Sequence, residues 1–318
     1  MAQIIDRDRI EKIIKKADLT RLISYMEEAF VSYSGGRAVV PPVGTLTFDS
    51  PPGDVHIKYG YIKDDSYYVI KIASGFYENP SLGIDSSNGL NLVFSQKTGQ
   101  LETILLDEGY LTDVRTGLAG AVAAKYLAPE KVYGIGIIGT GTQARMQLRY
   151  LKGTVQCNKV VVWGRSEESL SAYKASMRSE GFEITTTLEI KDVARQCNLI
   201  VTVTPSTSPI LELEGLAGDV HITAVGADTA GKQELGTGIL EQADLLVADS
   251  ESQCREHGEI HKAVQAGLLK GKKILELGEV ISSAENQRRP AGLSVADLTG
   301  IATQDIQISN FVLEQLQN

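Results

Sequence analysis

The sequence predicts an α/β protein in two parts: an α+β antiparallel-sheet domain, then a Rossmann-type doubly wound parallel sheet. Three observations carry this. Between about 40 and 106, short strand-like runs are split by turn signals at close intervals. From 131 onward, apolar strands alternate with helical segments. Where that alternation begins stands IGIIGTGTQAR, with glycines at the junction of a strand and a helix.

Taken in order, residues 6–34 place Leu19, Leu22, Ile23, Met26, Phe30 and Tyr33 at helical spacing, a single apolar stripe that predicts a helix. SGGRAVVPPVG ends it with glycine and proline. TLTF, DVHIKYGYI, SYYVIKIAS, NGLNLVFS and QLETILL then read as the strands of an antiparallel meander, with QKTGQ as a tight hairpin. Residues 111–127, rich in small side chains, form a helix that Asp113 caps or enters in its first turn. YGIGIIG, KVVVWG, NLIVTVTPS, VHITAVGAD and ADLLVADS are the expected parallel strands. Helices are expected from Thr142 to Leu151, over SEESLSAYKASMRSEG and over the tail from 303 to 318. The expected domains are 1–118, for substrate binding and dimerisation and completed by the C-terminal helix, and 119–302, the dinucleotide-binding domain.

Composition narrows the function classes. The 318 residues are 42% hydrophobic and 22% charged, ordinary for a soluble globular protein. A net charge of −9 argues against nucleic acid as a partner, because a phosphate backbone needs a basic surface. No apolar run approaches the ~18 residues of a membrane span. The charged N-terminus lacks a signal-peptide core. Three widely spaced cysteines argue against a disulfide framework and a cysteine-rich metal site, so the expected compartment is the cytoplasm and no metal is expected.

Gly139, Gly141 and Ala144 make a G-x-G-x-x-A pattern that leaves a strand and opens a helix. Gly139 allows the tight turn, Gly141 lets the backbone approach a pyrophosphate, and Ala144 permits close packing of helix on strand. The helix N-terminus then stabilises the phosphate charge. The next strand ends in Gly164, Arg165 and Ser166, where an NAD site usually carries an acid. Arg165 suits the 2′-phosphate of NADP, while Glu167 and Glu168 are compatible with NAD. Thr204, Pro205 and Ser206 follow a strand at the edge where ligands sit, as cofactor neighbours or as a structural turn.

YYVIKIASG sets a lysine inside an apolar strand. Val69, Lys71 and Ala73 share one face, and Ile70 and Ile72 the other. If the isoleucine face is core, the Lys71 face lines a site where a bound carboxylate satisfies the ammonium. Burial would also lower the lysine's pKa and let it move protons. Arg115, at the start of a helix between the domains, suits bidentate carboxylate binding or an inter-domain salt bridge. Asp228 follows a strand at the sheet's C-terminal edge, as a proton relay or a helix cap.

KIASGFYENP, LLDEGYLTDVRTGLAGAVAA, IGTGTQAR, AVGADTAGKQEL, ELGEV and LTGIATQD together resemble the ornithine cyclodeaminase/μ-crystallin family across nearly the whole chain. The resemblance implies a homodimer of such two-domain chains. It implies hydride transfer between a nicotinamide and a small imino, keto or amino acid, or cyclisation of ornithine or lysine with loss of ammonia. It gives Lys71 and Asp228 catalytic roles, with Lys71, Ser86 and Arg115 around the substrate, Lys232 near the substrate or the cofactor, and Lys58 at a substrate-facing position where this chain departs from the family. Thr299, Gly300 and Ile301 match a segment near the nicotinamide. The full expected cofactor set is Arg115, Thr116, Gly139, Thr140, Gly141, Gln143, Ala144, Gly164, Arg165, Ser166, Thr204, Pro205, Ser206, Val225, Gly226, Asp228 and Gly300.

Lys58 stands where the cyclising members carry a glutamate for the substrate's distal amine. A lysine there repels that amine and favours a more negative, dicarboxylic substrate, unless it faces solvent. The expected activity is therefore reduction of a small imino or keto acid with NADPH or NADH. The alternatives are a cyclodeaminase and a cofactor-binding protein without turnover.

Overall fold

The computed structural model describes residues 2–76, 78–283 and 291–317. Tyr77, which belongs to the motif KIASGFYENP, and Asn318, the last residue of the expected C-terminal helix, lie outside them. The chain divides into two compact units, 1–115 with 301–318, and 116–300.

In the first unit the N-terminal expectation is corrected: 6–34 is not one helix. Gln3–Asp6 forms β1, followed by α1 (Arg7–Lys16) and α2 (Leu19–Ser34). Two aspartates explain the break. The Asp6 side chain accepts from Arg9 N and that of Asp18 from Thr20 N, so each starts its own helix, with Ala17 extended between them. The remaining strands are β2 (Ala38–Val39), β3 (Gly44–Asp49), β4 (Pro52–Ile62), β5 (Tyr67–Phe76), β6 (Ser87–Ser95) and β7 (Leu101–Leu106). Their order is β1-β7-β6-β5-β4-β2, with β3 also on β4. Pairing is antiparallel except for β1, which joins β7 in parallel and so ends the meander with a strand from the start of the chain. The final helix, α11 (Ala302–Gln317), packs on α2, β4 and β5.

α3 (Tyr110–Leu127) carries the chain into the second unit. There β8 (Ile135–Ile138), β9 (Lys159–Trp163), β10 (Glu183–Thr187), β11 (Leu199–Thr202), β13 (Val220–Ala224), β15 (Leu245–Ala248), β16 (Ile274–Glu276) and β17 (Leu293–Asp297) form one sheet. Its order is β10-β9-β8-β11-β13-β17-β15-β16, and every pairing is parallel. β12 (Thr207–Leu211) and β14 (Gln233–Leu235) make a separate two-stranded sheet. The central strands are buried throughout, as continuous Ile, Leu and Val runs require of a sheet covered on both faces. α4 (Thr142–Leu151) packs closely on α3. A Cβ on Gly120 would fall 1.8 Å from Gln147 Oε1, and one on Gly117 would fall 2.6 Å from Tyr150 Cδ2. Small residues on α3 thus let two backbones approach, and Gln147 Nε2 donates to Thr116 O at 2.9 Å. The other helices are α5 (Glu167–Ser176), α6 (Ile190–Gln196), α7 (Thr237–Gln242), α8 (Glu251–Cys254), α9 (Gly258–Gln265) and α10 (Leu277–Ser282).

Candidate active site

The parallel sheet reverses its strand order between β8 and β11, which leaves a crevice at their carboxyl ends. A cavity of about 400 Å³ opens there. Gly139, Thr140 and Gly141 line it from β8, Trp163, Gly164 and Arg165 from β9, and Val203, Thr204, Pro205 and Ser206 from β11. Gly139 holds φ +126°, a left-handed value that glycine adopts without strain. A Cβ on Gly141 would meet nothing within 4 Å, so open space faces the start of α4. No side chain caps that helix, and its first amides can receive an anion. The donors and the space fit a dinucleotide pyrophosphate. Ala144 is buried in the core beneath. Ser166 caps α5, accepting from Ser169 N at 3.2 Å, and Ser206 Oγ donates to Ser208 O. Both hydroxyls thus have local structural work.

A buried carboxylate ties the crevice loops together. Glu234 accepts from Thr202 Oγ1 at 2.7 Å, from Thr204 N at 2.5 Å and from Gly226 N at 2.9 Å. It joins the loop after β11 to the loop after β13, which begins with Val225 and Gly226. Gly226 has no room for a side chain: a Cβ would lie 2.3 Å from Thr204 O. Glu259 in turn accepts from Glu234 N and Leu235 N. Asp249 accepts from Gly300 N and from Thr299 Oγ1, and so fixes the loop after β17. Burial pushes Glu234 up to about 7 and Glu259 up to about 8. Burial, with the Glu259 charge nearby, also raises Asp297 well above its ordinary range.

The first unit holds a second cluster. Lys71 Nζ donates to Asp305 Oδ1 at 3.0 Å, and Arg115 Nε lies 3.4 Å from the same oxygen. Arg115 Nη1 donates to Gln304 Oε1 at 2.9 Å. Lys71 is 2% and Arg115 7% exposed. The structure corrects the expectation about the strand faces. Val69 and Lys71 lie on the buried face, under α11, while Ile70 and Ile72 are half-buried. The ammonium already has an anionic partner within its own chain. Lys58 pairs across the strands with Lys71, and Lys71 with Asn91 of β6. Burial pushes Lys71 down to about 7; Asp305 opposes this, and Arg115 and Lys58 add to it. Asp107, which caps the start of α3 through Leu111 N, is pushed up to about 6 by burial. Several buried atoms here have no hydrogen-bond partner: Arg115 Nε, Gln304 Nε2, Asp305 Oδ2 and Asn91 Oδ1. Two of them, Arg115 Nε and Gln304 Nε2, are donors, and unpaired donors at a pair of cations are the chemistry of a carboxylate receptor; Asp305 Oδ2 and Asn91 Oδ1 are acceptors and can take a donor group instead.

The expected residues are distributed unevenly. Lys58, Lys71 and Arg115 come together. Ser86 does not join them: it sits opposite Phe76, five positions along β5 from Lys71, about 17 Å at the rise of a strand. Asp228 is exposed in the loop after β13, where the helix-cap alternative fails for want of a helix, and it accepts from Lys232 Nζ at 2.6 Å. Asp305, Gln304 and Glu234 were assigned no role from sequence. The signal available was a charged residue inside an apolar or helical run, the same signal that marked Lys71.

The family profile "Ornithine cyclodeaminase/mu-crystallin family" matches residues 6–318. The chain belongs to this family. A Sinorhizobium fredii protein named an uncharacterized cyclodeaminase is 35% identical, over 96% of each chain. The alanine dehydrogenase of Archaeoglobus fulgidus is 32% identical, over 98% of this chain and 94% of its own. Among solved structures, an archaeal alanine dehydrogenase dimer with bound NAD superposes with a TM-score of 0.89 at 29% identity, covering 99% of this chain and 96% of that one. The iminosuccinate reductase of Paracoccus denitrificans in complex with NAD+ gives 0.89 at 26% identity, with 99% and 96% coverage. Of these relatives, the alanine dehydrogenases and the iminosuccinate reductase are by name oxidoreductases of small amino or imino acids, and the fold is theirs.

Proposed function

We propose that the chain is an NAD(P)H-dependent reductase of a small imino or keto acid, and in reverse an amino-acid dehydrogenase. The observation that carries this is the buried pairing of Lys71 and Arg115 on Asp305 with hydrogen-bond capacity left over. Two cations that share one anion can accept a second, the α-carboxylate of a substrate.

Gly139, Gly141, Thr204 and the start of α4 would hold the dinucleotide, whose nicotinamide supplies the hydride when bound. Lys71 and Arg115 bind and orient the carboxylate, so that the adjacent carbon is presented in one pose. Reduction of an imine also needs a proton at nitrogen. Lys71, close to neutral pKa, and Asp228, paired with Lys232, are the groups that can hold one. Arg165 favours NADPH by offering its guanidinium to a 2′-phosphate, while the solved relatives hold NAD. Lys58, on the same face as Lys71, favours acids with a further negative group and disfavours a diamino acid. Half-exposed Tyr59, Tyr61 and Leu46 on the antiparallel sheet suit a homodimer like that of the alanine dehydrogenase. No helix among the described residues is long and apolar enough to cross a membrane.

Initial rates with NADPH and NADH against iminosuccinate, a cyclic imino acid, and pyruvate with ammonia test the reading. Oxidation of either nucleotide with at least one of them is expected; silence across the panel contradicts it. The cyclodeaminase reading, favoured by the Sinorhizobium relative, requires release of ammonia and proline from ornithine with no net change in nucleotide.

A further inference from the structure

We propose that Asp305 is a positioning residue: its carboxylate holds the Lys71 ammonium and the Arg115 guanidinium side by side and so keeps the cluster a receptor for a single carboxylate. The proposal rests on the functional reading above and specifies how that site is built. Asp305 stands in the first turn of α11, a 16-residue helix, where the helix dipole favours a negative charge. Its Oδ1 is shared by both cations, at 3.0 Å and 3.4 Å. Its Oδ2 is buried with no hydrogen-bond partner. Asp305 is 1% exposed, so water does not screen the arrangement.

The charged groups of the cluster come from every element around it. Lys58 is on β4, Lys71 on β5, Asp107 before α3, Arg115 on α3 and Asp305 on α11. Asn91 of β6 and Ser309 of α11, hydrogen-bonded to each other at 3.3 Å, and Gln304 add neutral polar groups. Among the described residues, Lys71 and Arg115 share the one oxygen Asp305 Oδ1, so the pair can take a second carboxylate. Without the charge of Asp305, Lys71 would lie between two cations with no anion in contact, and the cheapest relief in a dry site is loss of its proton. Asp305 therefore sets the pH at which the receptor fails. It also fixes the ammonium where the substrate carboxylate will meet it.

Calorimetric titration of pyruvate into the full chain from pH 5.5 to 9, in wild type and Asp305→Asn, tests this without relying on turnover. Wild type should bind one pyruvate per chain, with affinity falling about tenfold per pH unit above its turning point. In Asp305→Asn the turning point should move down by at least one pH unit, with affinity at pH 5.5 within about threefold of wild type. Superimposable profiles overturn the proposal. If Asp305→Asn does not fold, Asp305→Ser, which also removes the charge, serves instead and is held to the same outcomes. Pyruvate binding with this pH dependence, but no nucleotide oxidation, would remove the reductase reading and leave the receptor. Turnover with unshifted profiles would do the reverse.

Discussion

In the function proposed above, Arg165 is the residue that discriminates between the two nicotinamide dinucleotides. It is exposed at the end of β9 and lines the crevice beside Gly164. Replacing it by alanine should raise KM for NADPH about tenfold, the scale of a lost charge-assisted hydrogen bond, and leave KM for NADH nearly unchanged. Equal changes for both nucleotides would place a 2′-phosphate elsewhere. Lys71 shows how much of a single residue is legible. A charge inside YYVIKIASG marks the position, and the period of two says which neighbours share its face. That period does not say which face is core. The answer came from Asp305, 234 residues away in sequence, and no local pattern reports such a partner.

At the scale of elements, the crevice is shaped by loops that do not touch the strand ends alone. Glu234 joins two of them, through Thr202, Thr204 and Gly226. Glutamine has one acceptor oxygen where the carboxylate offers two, so Glu234→Gln leaves one backbone amide facing an amide nitrogen. Dinucleotide affinity, followed by fluorescence titration, should weaken about tenfold, the cost of one unsatisfied buried donor. Unchanged affinity would mean that the loops hold their shape without the clamp. The strands and the glycine turn were readable because their signals are local: apolar runs, and glycines at a strand-to-helix junction. The division of 6–34 into β1, α1 and α2 was less so. Asp6 and Asp18 are proper caps, yet the apolar stripe alone does not show where a helix pauses.

For the whole molecule, buried acids dominate the response to pH. Glu234 and Glu259 titrate near 7 and 8 in the folded chain, well above the ordinary 4.5, so the folded chain holds their protons longer than the unfolded chain does. Stability from these groups is complete below about pH 4.5 and is lost as pH rises through 7 to 8. Lys71 acts in the opposite sense above pH 7, since its folded value lies below the ordinary 10.5. With Asp107 and Asp297 also raised, the carboxyl groups prevail. Scanning calorimetry should show Tm falling by several degrees between pH 5 and 8, and Glu259→Gln should flatten the fall. A Tm that rises over that range would contradict the account. At this scale the sequence made both sheets and their classes visible, because helix–strand alternation and dense turns are global textures. The order of eight parallel strands was not visible, since pairing between β13 and β17 spans some 70 residues with no periodic mark.

The central claim is that Lys71 and Arg115 receive a substrate carboxylate. The most direct measurement is a crystal structure of the full chain soaked with a nicotinamide dinucleotide and L-alanine. The account predicts carboxylate oxygens within about 3.2 Å of both Lys71 Nζ and the Arg115 guanidinium. An amino acid bound with its carboxylate touching neither, while both cations stay committed to Asp305 and Gln304, would contradict it.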